Sequence, residues 1–358
     1  MEVYDIFNGS SAHHRPTDSF DFTGFVFLHT TFSGKVFLRK AIFSNSTITY
    51  AAEFFHAQFM EGASFAFTTF DGVANFIGAR FESEAKFTGA EFKQRVAFDW
   101  ARFTGGADFE RTVFDQEADF LRTIFGDAKS QEGPDSMAVA NFRFAEFYKP
   151  ELIRFIQVNQ EGRHGLRALF AGCNVEKVQF EDVNWNRERG RVVLQDEIDV
   201  RAKPKVATSY ARVAITYCQL INNFDRARAY DLAEDCSIGA MEMKRLDSTQ
   251  PIFVRGAVNI YRWASNYGSS YPRALGVLAL MVLGFGLLYS LAGLTPRLGQ
   301  TVLEPAGFIH AVEVATFKSE THAIAGSGLA WFLEIFERIL IPAQVALFLL
   351  ALRRRFRR

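Results

Sequence analysis

Large apolar residues recur from Phe32 to Phe125 in steps of five and six residues that alternate without a break. Phe32, Phe37, Phe43, Ile48, Phe54, Phe59, Phe65, Phe70, Phe76, Phe81, Phe87, Phe92, Phe98, Phe103, Phe109, Phe114, Phe120 and Phe125 hold the rhythm, and Ile48 alone among these eighteen is not phenylalanine. Two residues ahead of most of them stands a small side chain: Ala41, Ala52, Ala57, Ala63, Thr68, Ala74, Ala79, Ala85, Ala90, Ala101, Ala107, Thr112, Ala118 and Thr123, with Lys35 the clear misfit. A period of five to six suits neither a helix at 3.6 nor a strand at 2. A short fixed repeat builds a solenoid instead, whose units bury their apolar face only by stacking on neighbours. One large and one small inward residue per step fits a coil with four short sides, so four steps close a turn of 22 residues. Phe32, Phe54, Phe76, Phe98 and Phe120 then form one column, and Phe37, Phe59, Phe81, Phe103 and Phe125 a second. The other two run through Phe65, Phe87 and Phe109 and through Phe70, Phe92 and Phe114. Adjacent coils are expected ~4.8 Å apart, the spacing of any strand ladder. Each buried phenylalanine contributes roughly 1.5–3 kcal/mol, so the columns supply the core.

The motifs Ala52-Glu53-Phe54, Ala57-Gln58-Phe59 and Ala79-Arg80-Phe81 resemble the pentapeptide-repeat family, in which the centre residue is Leu or Phe and the residue two before it is Ala. The resemblance implies a right-handed quadrilateral β-helix. The extra residue in every second step departs from the family pattern and is expected as a bulge at alternate corners. About function the resemblance implies little, because one fold hosts many activities.

The rest of the chain divides by composition. Residues 1–19 are polar, with His13, His14, Arg15 and Pro16, and read as a flexible N-terminus without a signal peptide. The β-helix is expected over 20–185. Its rhythm breaks in a loop from Gly126 to Met137 and restarts at Ala140-Asn141-Phe142 and Ala145-Glu146-Phe147. It ends in the run Phe170, Val175, Phe180, Trp185, which closes the final coils. Residues 186–272 read as a charged linker, a helical connector and a juxtamembrane helix. Apolar positions from Tyr210 through Val213, Tyr217, Leu220, Phe224 and Tyr230 predict one helix from Tyr210 to Leu246. Phe253 to Tyr267, with Arg255, Tyr261, Arg262 and Trp263, has the composition of an interfacial helix.

Residues 273–358 read as a membrane domain. About twenty uncharged residues, Ala274 to Leu294, are long enough for a ~30 Å hydrocarbon core. A second span is expected from Leu329 to Leu352, although it holds Glu334, Glu337, Arg338 and Pro342. Basic residues stand before the first span (Arg255, Arg262, Arg273) and after the second (Arg353, Arg354, Arg355, Arg357, Arg358). The intervening loop has only Arg297 and Lys318. By the charge rule for membrane topology both termini are cytoplasmic. The Asp196-Glu197 pair, Tyr261-Arg262-Trp263, Tyr267-Gly268 and the Ala-Leu-Arg-Arg-Arg-Phe ending resemble bacterial pentapeptide-repeat membrane proteins with two C-terminal spans. That resemblance implies a multi-pass protein of the bacterial inner membrane.

Motifs of chemistry are missing. There is no P-loop, G-x-S-x-G, H-E-x-x-H, C-x-x-C or G-x-G-x-x-G. Cys173, Cys218 and Cys236 form no disulfide framework and have no metal spacing, and lone histidines such as His29, His56 and His164 read as surface residues. No enzyme, cofactor or metal is expected. Nucleic-acid binding or mimicry would need a strong charge, whereas the formal net charge is zero and residues 20–129 carry 14 acidic against 11 basic residues, a difference of −3. Two readings follow. The first is a membrane-anchored scaffold whose partners are the lipid bilayer and a cytoplasmic protein, with homo-oligomerisation open to it. The second is a pore-loop-like two-span ion channel or membrane-permeabilising effector gated by the cytoplasmic solenoid, built from the short helical segment Phe308 to Phe317 and from Glu334, Glu337 and Arg338 on one helix face. Intramembrane charges are functional by default, but the loop lacks the Thr-Val-Gly-Tyr-Gly filter of potassium channels.

Overall fold

The computed structural model describes residues 19–126, 139–162, 164–202, 208–296, 305–318 and 323–356. The expected flexible N-terminus and the Gly126–Met137 loop fall almost wholly outside the described residues. The chain forms two compact units, 1–243 and 244–358.

The first unit is built on a parallel β-solenoid of four faces. One face stacks seven strands, from Phe20–Asp21 through Ala41–Ile42 and Ala63–Ser64 to Ala168–Leu169. The opposite face stacks seven more, from Thr30–Thr31 to Gln179–Glu181, and faces of six and five strands lie between them. The register is the one that the repeat dictates: Asn75 pairs with Glu53 and Ala97, and Phe81 with Phe59 and Phe103, one coil of 22 residues apart. Rings therefore stack up each column, Phe54 on Phe76 at 4.8 Å and Phe59 on Phe81 at 4.7 Å, both pairs nearly parallel. Around a coil they meet edge to face, as Phe54 meets Phe65 at 5.3 Å and 83°, the two geometries that aromatic quadrupoles favour. Where threonine takes the small position its hydroxyl is buried but satisfied. Thr68, Thr112 and Thr123 donate to the carbonyls of Phe43, Phe87 and Phe98 in the preceding coil.

Each five-residue step turns through a β-turn closed from the inward residue. The Phe54 carbonyl accepts from the Ala57 amide, and the third residue, His56, has a left-handed φ of 54°. That geometry is a type II turn, which favours glycine third. Bulky residues hold the position at Phe67, Trp100, Arg111, Arg122 and Phe144. In the coil next to His56 the position is Gly78 (φ 66°), where a Cβ would come within 2.4 Å of the His56 ring. A large ring in one coil thus lies over a glycine in the next. The extra residue of the six-residue steps sits at the alternate corners, where the chain makes wider bends.

Helices close the last coil. They are α1 (Gln195–Ala202), α2 (Tyr210–Arg226) and α3 (Tyr230–Leu246). The single helix expected from Tyr210 to Leu246 is broken at Ala227–Ala229, with Arg228 left-handed (φ 59°) and the Ala229 amide bonded to the Phe224 carbonyl. Neither Gly nor Pro marks the break. Tertiary contacts hold it instead: Phe224 packs on Phe180 and Trp185, and Asn223 donates to the carbonyls of Val175 and Val178. The open strand edge is capped by Asp196, which accepts the Phe170 and Ala171 amides and the Arg143 guanidinium. Burial raises the pKa of Asp196, and Arg143 and the two amides oppose that rise. Beside it Tyr217 donates to Glu197 at 2.6 Å, and Arg191 pairs with the same carboxylate.

The second unit holds α4 (Ile252–Ser265), α5 (Tyr271–Ala292), α6 (Ala306–Ala315) and α7 (Gly328–Phe356). A short antiparallel pair, Leu294–Pro296 with Ala323–Ala325, joins the two ends of the α5–α7 connection. The first expected span ends two residues early, at the C-cap Gly293. Both α5 and α7 are long and apolar enough to cross a membrane, yet only 28% of the apolar stretch of α5 and 22% of that of α7 are buried. Leu280, Leu283, Leu287, Leu291, Phe332, Phe336 and Ile339 face outward. Gln344 of α7 ties the helices together by donating to the Ala264 and Ala274 carbonyls.

Candidate functional site

The fourteen phenylalanines from Phe54 to Phe125 singled out in the sequence are all buried in the solenoid, between 0% and 3% exposed. They are its core. Outside them, the solenoid faces carry pairs of opposite charge, such as Lys93–Asp71 and a network of Arg95 and Arg154 around Asp119 and Glu117. Among the described residues no group of three or more His, Cys, Asp or Glu could hold a metal ion.

The second unit is different. Helix α6 lies close against α5, because Gly307 faces the α5 backbone. A Cβ on Gly307 would come within 2.3 Å of the Gly286 carbonyl oxygen and of Ser290 Oγ. Small residues permit such an approach of apolar helices. One turn further along α6, His310 meets Tyr289 of α5 edge-on at 4.7 Å between ring centroids. Phe285, Ala311, Ala330 and Leu333 close an apolar shell around the contact.

Glu337 of α7 completes the group and is fully buried, as is Tyr289, while His310 is 1% exposed. The Tyr289 hydroxyl and the Glu337 carboxyl lie close enough to influence one another but fall short of a well-formed hydrogen bond. Five polar atoms here find no hydrogen-bond partner among the described residues: the Tyr289 hydroxyl, both imidazole nitrogens of His310 and both carboxyl oxygens of Glu337. More than nine in ten buried polar groups in folded proteins are satisfied, so such a concentration is unusual.

The three charges expected on one face of the second span separate. Arg338 donates to Glu334 across one helical turn at 2.6 Å, with the Arg338 side chain 55% exposed. Glu337 points away from that pair and into the unit. Glu313 of α6 is nearly buried and pairs with Lys318 at 2.6 Å. The sequence reading passed over Tyr289 and His310. The signal available was a tyrosine near the end of an apolar run, and a histidine in an otherwise apolar segment between two such runs.

Residues 54–99 match the family model described as pentapeptide repeats (9 copies). The solenoid is therefore a pentapeptide-repeat solenoid, a fold of the protein-interaction type. No curated protein and no solved structure matches the chain.

Proposed function

We propose that the chain is a membrane-anchored, non-enzymatic scaffold that presents its pentapeptide-repeat solenoid to a protein partner. The observation that carries the reading is the outward-facing apolar surface of α5 and α7. A core helix of a soluble domain hides its leucines, whereas here most of each apolar stretch is uncovered. Exposed apolar area of that extent is stable only in lipid or against another chain. Helix α4 supports the same reading, with Ile252, Phe253, Ile260 and Trp263 exposed and Arg255, Arg262 and Arg273 nearby to meet headgroups. The basic residues before α5 and after α7 favour cytoplasmic termini in an inner membrane of bacterial type.

The test is fractionation of cells expressing the full chain, followed by alkaline extraction. The protein should stay with the membrane, and removal of residues 271–358 should release it. Recovery of the full chain in the soluble fraction would end the reading. Pull-down from detergent-solubilised membranes, with mass spectrometry, then identifies the partner or a second copy. The pore-loop channel has the buried polar group of α5, α6 and α7 in its favour. Against it, α7 beyond Arg338 carries only Gln344 as a polar residue before Arg353, and Gln344 is spent on backbone carbonyls.

A further inference from the structure

We propose that Tyr289, His310 and Glu337 form a proton-binding site, served by bound water and closed on the side of the α7 C-terminus. The proposal rests on the membrane reading above for its surroundings, and on the geometry of the second unit for the site itself.

The arrangement is costly. A carboxyl, a phenol and an imidazole from three helices are buried together, and none has a hydrogen-bond partner among the described residues. Replacing them by apolar residues of similar shape would remove that cost. Each group can both donate and accept when neutral, and two of them change charge by gaining or losing one proton. A water molecule admitted between these groups would find the two to four polar partners that a buried water needs. A proton arriving on that water can move to the Glu337 carboxylate or to the second nitrogen of His310, leaving the water neutral. Tyr289 stabilises either form by turning its hydroxyl.

The surroundings set the direction of access. Around His310 and Glu337 stand Glu334 and Arg338 from α7, Glu313 from α6 with its partner Lys318, and Tyr289 from α5. Arg338 and Lys318 are about half exposed, so both ion pairs reach the surface next to the site. In the other direction α7 runs through Ile339, Leu340, Ile341, Pro342 and Ala343 before Gln344. Among the described residues of α7 no titratable group follows Arg338 before Arg353. The site therefore takes up and releases a proton from one side, rather than passing it through.

Infrared difference spectroscopy on the full chain in zwitterionic phospholipid vesicles, stepped in pH, reads the site directly. Wild type should show a titrating carbonyl stretch of a protonated carboxyl, and Glu337→Gln should lose it. Tyr289→Phe should keep the band but displace it and change its titration midpoint at least tenfold in proton concentration. A full set of titrating carboxyl bands in Glu337→Gln would overturn the proposal. So would a Tyr289→Phe band unchanged in position and midpoint, and that variant alone decides if Glu337→Gln does not fold. Should fractionation show a soluble protein, the membrane reading fails separately, and the same spectra taken in solution still decide the site.

Discussion

Truncating one ring inside the solenoid should cost more than any surface change, and Phe92→Ala measures how much. Phe92 is 1% exposed. Its ring stacks on Phe70 at 4.6 Å and on Phe114 at 5.3 Å, and meets Phe98 edge-on at 6.1 Å. Burying the alanine instead forfeits all three contacts and leaves a cavity. Such changes cost ~3–5 kcal/mol, depending on how far the site collapses. Collapse is restricted here, because the strands below and above, Thr69–Phe70 and Val113–Phe114, hold Glu91–Phe92 in register on both sides. The upper half of that range is therefore expected. At ~2–4 °C per kcal/mol for a unit of this size, the melting temperature should fall by roughly 8–20 °C. The control is Glu91→Gln, the adjacent outward position, which should stay within about 0.5 kcal/mol of wild type. Both variants are compared as full chains in detergent, by the loss of far-ultraviolet β signal on heating. Equal melting temperatures would refute the inward assignment of Phe92, and with it the column argument.

Three further outcomes are expected. Asp196→Ala should cost about 2–5 kcal/mol, since it leaves two strand-edge amides unmet and Arg143 paired with Asp199 alone; hydrogen exchange should lose protection at Phe170 and Ala171 while the coils around Phe76 keep theirs. Reporter fusions at Met1 and Arg358 should both read cytoplasmic and an insertion near Gly299 should read outside, whereas a periplasmic signal from Arg358 would remove the second span. Vesicles containing the wild-type protein should leak ions no faster than empty ones, and a steady current abolished by changing both Glu334 and Glu337 to Gln would promote the channel reading over the scaffold.

The solenoid was legible because its inward positions depend on nothing but spacing. A residue and the one 22 places later fall in the same column whatever the surface does, and the register confirms it from Phe37 to Phe125. The corners were less legible. Their left-handed positions are held by Phe67, Trp100 and Arg122 as often as by glycine, and those residue types carry no local preference for positive φ. The break at Arg228 was illegible for the same reason: helical periodicity runs on through it, and packing of Phe224 against the last coil decides where the chain turns. In the second unit Glu334, Glu337 and Arg338 stood out as charges in an apolar run. Spacing at i, i+3 and i+4 suggested one face, but adjacent helical residues point 100° apart. Arg338 can thus follow Glu334 outward while Glu337 turns inward. Tyr289 and His310 join it only because α6 folds back on α5, a contact between residues 21 apart that no periodicity announces.

The two units treat buried charge in opposite ways, and the contrast bears on function. Asp196 and Glu197, beneath the solenoid cap, are as deeply buried as Glu337. Each is fully engaged: Asp196 by Arg143 and two backbone amides, Glu197 by Arg191, Arg201 and the Tyr217 hydroxyl. A satisfied polar network of that kind fixes one arrangement of the chain and is what a structural role requires. Glu337, Tyr289 and His310 are left without such partners in a shell of Phe285, Ala311 and Ala330, where stability alone would have favoured leucine or phenylalanine. Positions at which a sequence sets aside a stable choice are where function is to be sought. In this chain that points away from the long, regular solenoid, whose residues are explained by packing, and toward three side chains on the helices that follow it.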